Sequence, residues 1–241
     1  MPKKGGKDLR PEGENLMGLI ESAREEGHLF LSEFESKQLL ARYRIPVTRE
    51  FLVNDPEGLK KAALQIGYPL VLKGCSPEIA HKTEKNLIRL DIRSEGEALQ
   101  AFQEIMDRLE GNRKAVLVQE MILGKRELMA GMTRDPQFGP CVLFGLGGIF
   151  TEILEDVTFR VAPLEKRDAL EMFQEIKAHK ILTAFRGLEA VDQDALADIL
   201  MQIGQIGLEE EQIKEIDVNP LIVFQGKPVA VDALVVLEDI K

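Results

Sequence analysis

Cysteine is scarce in this chain, and what little there is excludes two classes of protein at once. Cys75 and Cys141 lie far apart with no second pair, so neither a disulfide framework nor a Cys-x-x-Cys metal site is available. Long apolar runs are missing as well: no stretch approaches the roughly 18 apolar residues of a membrane span, and no apolar segment follows the basic start Met1-Pro2-Lys3-Lys4. Net positive charge is the third absence. Forty-one acidic residues against 31 Lys plus Arg leave a formal charge of −10, which repels nucleic acid and anionic membrane surfaces. Together these absences predict a soluble cytoplasmic protein that binds any polyanion through a local basic pocket.

Of its 241 residues, 44% are apolar, enough to bury a sizeable core in one large domain or two small lobes. Helical spacing from Asn15 to a stop at Gly27 predicts a short N-terminal helix outside the main pattern. Ser32 followed by Glu35 predicts a capping box and a helix ended by Pro46. The chain then alternates: strand 47–53, a helix begun by Asp55-Pro56 and closed by Gly67, strand 69–73, strand 86–92, a helix capped at Ser94, and strand 115–121. Beyond Gly124 the pattern predicts strands 126–132 and 141–146 around the Asp135–Gly139 turn, strand 157–161, and helices 165–178 and 192–206. Strands 213–218, 221–224 and 229–236 follow, with a hairpin turn at Gln225-Gly226-Lys227. The expected fold class is α+β, two lobes facing each other.

Four features carry potential chemistry. Lys73 closes the apolar strand Leu70-Val71-Leu72, where an ammonium can meet a phosphate; taken alone, a lysine snorkelling at a strand end is the commoner case. His81 sits in an irregular polar stretch, where neutral imidazole can accept and return a phosphoryl group, although most loop histidines do neither. The glycines of Phe144-Gly145-Leu146-Gly147-Gly148 let backbone N–H groups approach an anion, or simply serve a tight turn; the segment is neither a Walker sequence nor a dinucleotide fingerprint. Glu215, Asp217 and Asn219 share one face of a strand, and Asp232 lies across the next hairpin. Such oxygens suit Mg²⁺, while the plain alternative is a solvated sheet face. His28 and His179 have no comparable setting.

These pieces, in this order, resemble the ATP-grasp subunit of ADP-forming acyl-CoA synthetases, related to the succinyl-CoA synthetase β subunit. The resemblance runs over roughly residues 29–237, through Leu31-Ser32-Glu33, Glu35-Ser36-Lys37, Gly67-Tyr68-Pro69, Val71-Leu72-Lys73, Ser76-Pro77, His81-Lys82 and Arg126-Glu127. It continues through Asp135–Gly139, Phe144–Gly148, Asp156–Arg160 and Asp217-Val218-Asn219-Pro220. It implies an ATP-grasp fold, with a small lobe over about 47–122 and a large lobe over about 29–46 plus 123–241, preceded by a partly disordered extension, 1–28. The implied reaction converts acyl-CoA, ADP and phosphate to acid, CoA and ATP.

By the same resemblance His81 is the phosphoryl carrier and Asp217 the acid that receives the partner's phosphohistidine. Lys73, Gly147 and Gly148 would hold nucleotide phosphates. Gln119, Glu120 and Ile122 would line the adenine pocket mainly through backbone groups, Glu127 would face the ribose, and Asn219 and Asp232 would hold Mg²⁺. The CoA-binding module with its own histidine has no room here, so the resemblance implies a separate CoA-binding α-type subunit and an α2β2 assembly. Two other readings stay open: an ATP-grasp ligase that forms an acyl phosphate directly without a partner, and a non-catalytic nucleotide sensor. The segment Ala178-His179-Lys180-Ile181 departs from the family pattern and receives no role.

Overall fold

The computed structural model describes residues 16–75, 87–110, 114–148 and 156–239. The chain opens with α1 (Leu16–Glu25), a two-residue strand β1 (Phe30–Leu31) and α2 (Glu33–Arg42). Ser32 caps α2 reciprocally: its hydroxyl accepts from the Glu35 N–H at 3.3 Å, and the Glu35 carboxylate accepts from the Ser32 N–H at 2.8 Å. Helix α1 is no appendage to the main pattern. Ile20 and Ala23 are buried in the apolar cluster that also holds Leu39 and Leu40 of α2, so a stretch expected to lie outside shares the core of the body that follows.

The next segment builds a four-stranded antiparallel sheet from β2 (Glu50–Val53), β3 (Leu70–Cys75), β4 (Ile88–Ile92) and β5 (Ala115–Glu120), in the order β2-β5-β3-β4. Helices α3 (Pro56–Ile66) and α4 (Glu95–Arg108) cover one face. Asp55 and Ser94 cap them, each side chain accepting from the N–H three residues on. Alternation decides what each face carries. Leu70, Leu72, Val116 and Val118 pack with Leu59, Phe102 and Ile105 under the helices. The intervening residues Val71, Lys73, Leu117 and Gln119 therefore point to the opposite face, and all four are buried as well.

The second sheet has seven strands: β1, β6 (Arg126–Asp135), β7 (Gly139–Leu146), β8 (Val157–Val161), β9 (Ile213–Phe224), β10 (Lys227–Ala230) and β11 (Leu234–Leu237). Their order is β1-β11-β9-β6-β7-β8, with β10 also paired to β9. Helices α5 (Lys166–Glu175) and α6 (Gln193–Glu209) cover its apolar face, where Leu196, Leu200 and Ile203 meet Val142, Phe144, Ile216 and Val218. No helix of the described residues is long and apolar enough to cross a membrane.

Several element boundaries differ from the expectation, among them the end of β3, which runs on past Lys73 to Cys75, and three have a clear local reason. The helix expected over 165–178 stops at Glu175. The Asp156 carboxylate accepts from the N–H groups of Lys177 (2.7 Å) and Ala178 (2.8 Å), turning the chain into a 3₁₀ segment, His179–Leu182. The two strands expected around Pro220 form one, β9, with the register against β6 shifting between Leu128 and Ala130, a place where a residue lacking an N–H is tolerated. The strand expected over 229–236 is broken at 231–233, because β10 pairs with the second half of β9 and β11 with the first. That break releases the Val231 carbonyl from the ladder and leaves Asp232 outside any strand.

Candidate functional site

The helix-free face of the small sheet meets α2 and the 231–233 break. On that face, register sets Gln119 opposite Glu50 on one side and Val71 on the other, with Lys73 two residues along β3. Helix α2 supplies Glu33 and Lys37, one turn apart and so on the same side. The Lys37 ammonium pairs with Glu33 at 2.9 Å and with Glu50, and donates to Gln119 Oε1 (3.0 Å), Thr48 Oγ1 (3.3 Å) and the Val231 carbonyl (3.3 Å). The Lys73 ammonium donates to the same Glu33 oxygen at 2.7 Å and to the same Val231 carbonyl at 3.1 Å, and lies 3.5 Å from Asp232 Oδ2.

Two ammoniums thus face three carboxylates, and the side chains of Glu33, Lys37, Lys73 and Glu50 are all at most 7% exposed. Burying such charges is costly unless each is paired and hydrogen-bonded, as these are. Burial alone would lower the Lys73 pKa, but Asp232 and Glu33 outweigh it and hold the ammonium above the ordinary lysine range. Gln119 completes the floor. Its Oε1 is committed to Lys37, while its Nε2 is the one buried side-chain polar atom among the described residues without a hydrogen-bond partner. It is a donor free for a ligand's acceptor.

A second group forms where β7 ends. Gly147 N–H donates to the Glu127 carbonyl at 2.9 Å, and Gly148 N–H donates to Asn219 Oδ1 at 3.0 Å. Glycine is required twice here. A Cβ on Gly147 would sit 2.4 Å from the Leu128 carbonyl oxygen, and one on Gly148, whose φ is +63°, would sit 1.9 Å from Glu127 Oε2. Close backbone approach thereby gathers Glu127, Gly147, Gly148 and Asn219. On β9, Asp217 pairs with Leu234 of β11. Continuing that register by two residues sets Asn219 opposite Asp232, and Val231 N–H donates to the Pro220 carbonyl at 3.1 Å.

A family model, ATP-grasp domain, matches residues 22–237. The chain belongs to the ATP-grasp family. Among its relatives, the acetate–CoA ligase [ADP-forming] I subunit beta of Pyrococcus furiosus is 44% identical over 224 residues, covering 91% of this chain and 96% of that one. Acetate–CoA ligase [ADP-forming] I of Archaeoglobus fulgidus is 38% identical over 95% of this chain, which spans only 34% of that longer protein. A solved acetyl-coenzyme A synthetase 1 from Ca. Korarchaeum cryptofilum superposes with a TM-score of 0.83 at 42% identity, covering 93% of this chain and all of that one. It was solved with coenzyme A and Mg-AMPPCP, its phosphohistidine segment pointing towards the nucleotide binding site.

In this ATP-grasp chain, then, Lys73, Gln119 and Asp232 share one cluster, while Glu127, Gly147, Gly148 and Asn219 share another. Glu120 differs from its neighbour: its carboxylate is taken at the surface by the Arg49 side chain and backbone N–H, both at 2.8 Å. Ile122 follows β5, half-buried. His81 lies outside the described residues. The sequence reading missed Thr48 and Glu50 as site residues and noted Glu33 and Lys37 only within the family resemblance. The one local signal was Glu33 and Lys37 at i,i+4 spacing, which ordinarily marks an exposed helix pair.

The oxygens of Asn219 and Asp232 are hard donors that suit Mg²⁺. Among the described residues no set of three or more His, Cys, Asp or Glu side chains could hold a metal alone. Asp217 is mostly buried, and burial, then Glu215 and Asp232, push its carboxyl up to about 6. A raised carboxyl pKa means the folded state holds the proton that the unfolded state releases. Stability from this group is therefore greatest below about pH 4 and is lost as pH rises to about 6. In metal-free buffer Asp217→Asn is expected to be more stable than the parent at pH 8 by up to about 3 kcal/mol, at 1.36 kcal/mol per pKa unit. Urea unfolding at pH 8 and pH 4 checks this; a gain of equal size at both would refute it.

Proposed function

We propose that this chain is the nucleotide-binding subunit of an ADP-forming acyl-CoA synthetase, working with a separate CoA-binding subunit to convert acyl-CoA, ADP and phosphate to acid, CoA and ATP. The observation that carries it is the buried Lys73 ammonium, fixed from behind by Glu33 and the Val231 carbonyl and beside the one accessible carboxylate, Asp232. That is what a nucleotide's phosphates and their counter-ion require. The end-to-end match to a protein named as a β subunit, and the threefold greater length of a relative not named as a subunit, support a partner that supplies the rest.

The acid and CoA sites lie on the partner, whose histidine takes the phosphoryl group from an acyl phosphate; Asp217 receives that phosphohistidine. The group passes to His81. An ADP β-phosphate oxygen then attacks phosphorus, the P–N bond breaks, and His81 leaves as neutral imidazole. Such transfer asks the protein chiefly for positioning and charge neutralisation. Lys73 orients the phosphates, beside Gly147 and Gly148. Gln119, Glu120 and Ile122 hold the adenine, to which the free Gln119 Nε2 adds a side-chain donor, and Glu127 faces the ribose. Asn219 and Asp232 would hold Mg²⁺, which would supply positive charge to offset that of the phosphates.

The test is to co-purify the chain with its partner, proposed to form an α2β2 assembly, and incubate the complex with γ-labelled Mg-ATP. An acid-labile, base-stable label on this chain, together with ATP formation from acyl-CoA, ADP and phosphate only when the partner is present, is expected. Acyl-phosphate formation by this chain alone, with no such label, would establish the direct-ligase reading instead.

A further inference from the structure

The Lys73–Asp232 contact links a residue assigned to phosphate with one assigned to metal, and the two assignments compete in the ligand-free geometry. An ammonium has three N–H donors. At Lys73 they meet Glu33 Oε1 at 2.7 Å, the Val231 carbonyl at 3.1 Å and Asp232 Oδ2 at 3.5 Å. The first two acceptors are fixtures: the Glu33 side chain is wholly buried and shared with Lys37, and the Val231 carbonyl is held by the break between β10 and β11. Asp232 is the longest contact and the more accessible of the two carboxylates, its side chain 33% exposed against 0% for Glu33. Only the third donor can be redeployed.

We propose that the Lys73–Asp232 ion pair is a placeholder that couples cation to nucleotide binding: a divalent cation withdraws Asp232 from Lys73, and the released donor goes to a phosphate oxygen. The exchange preserves local neutrality. One ammonium–carboxylate pair is replaced by two, cation with carboxylate and ammonium with phosphate, so neither Asp232 nor Lys73 is left uncompensated in a site where an unpaired charge is costly. Because binding linkage is reciprocal, phosphate on Lys73 likewise frees Asp232 for the cation. Glu33 and the Val231 carbonyl keep the ammonium in place throughout and act as its positioning groups.

This rests on the nucleotide-site reading, and its consequence is specific: without metal, Asp232 should inhibit ADP binding. Calorimetric titration of ADP in EDTA is expected to show Asp232→Asn binding about tenfold tighter than the parent, the scale of one charge-assisted donor released. Adding Mg²⁺ should improve ADP binding to the parent and have little effect on Asp232→Asn. Removing a negative charge would aid ADP slightly by reduced long-range repulsion alone, so the same change is made in a Lys73→Met background, where the gain is expected to shrink to that slight residue. Asp232→Ser, measured in parallel with thermal melts of every variant, supplies the comparison if the asparagine variant does not fold. No ADP binding to the parent in either condition overturns the site reading itself. Binding that Asp232→Asn leaves unchanged or weakens in EDTA, or a gain that persists in full with Lys73→Met, overturns only the exchange.

Discussion

Replacing His81 with asparagine is expected to reduce acyl-CoA-dependent ATP synthesis in the reconstituted complex on the order of 10³-fold or more, while Mg-ADP binding stays within about twofold of the parent. Asparagine keeps a polar side chain of similar reach but has no ring nitrogen to form a P–N bond, so the relay loses a covalent intermediate. Removing a nucleophile that acts as one member of a unit costs most of the unit's effect. Nucleotide affinity should be spared because the residues proposed to hold ADP, among them Lys73, Gln119 and Asn219, lie on β3, β5 and β9. Steady-state ATP formation, ADP calorimetry and the loss of the acid-labile label are read on one preparation. Unchanged turnover would remove His81 from the mechanism and leave direct transfer between the partner's histidine and ADP.

The second large effect is on folding. Lys37→Met is expected to destabilise the protein by about 3–5 kcal/mol, the range for removing one partner of a buried ion pair. Methionine fills a similar volume, so cavity formation contributes little. What is lost is the cation serving Glu50 and Glu33, two carboxylates at most 7% exposed. Glu33 keeps Lys73 at 2.7 Å, whereas the hydrogen bond left to Glu50 among the described residues is that from the Thr48 hydroxyl at 3.1 Å. Burial already raises the Glu50 pKa against the pull of Lys37, so without Lys37 this carboxyl takes up a proton and the deficit shrinks as pH falls. Adding Glu50→Gln should return much of the loss at pH 8. Urea and thermal unfolding of the two single variants and the double variant measure it; strictly additive losses would mean that the pair does not act as a unit.

This cluster also joins the two sheets. Glu33, Lys37 and Val231 belong to the body around the seven-stranded sheet, while Glu50, Lys73 and Gln119 come from the four-stranded one. Hydrogen bonds between Thr48 N–H and the Ala230 carbonyl (3.3 Å) and between Ala230 N–H and the Pro46 carbonyl (2.9 Å) reinforce the junction. Lys73 is thereby referenced to both sheets at once, and so are the phosphates it is proposed to hold.

What the amino-acid order determined by itself was local. Caps at Ser32, Asp55 and Ser94 begin helices because a short side-chain oxygen three residues before an N–H suffices for that, whatever surrounds it. The apolar run ending in Lys73 and the alternation of Glu215, Asp217 and Asn219 likewise follow from period-two geometry. The ordered motifs were enough to read the family. Tertiary structure alone decided what those faces meet. Periodicity tells which side of a strand Gln119 or Lys73 occupies, but not that residues 33, 37, 50 and 231 converge there, since contacts between such distant positions leave no mark in a local window. The break at 231–233 is of the same kind: Val229 to Val236 has the composition of a strand throughout, and only the division of β9 between two partners interrupts it, exposing Asp232 and freeing the carbonyl on which both lysines rest.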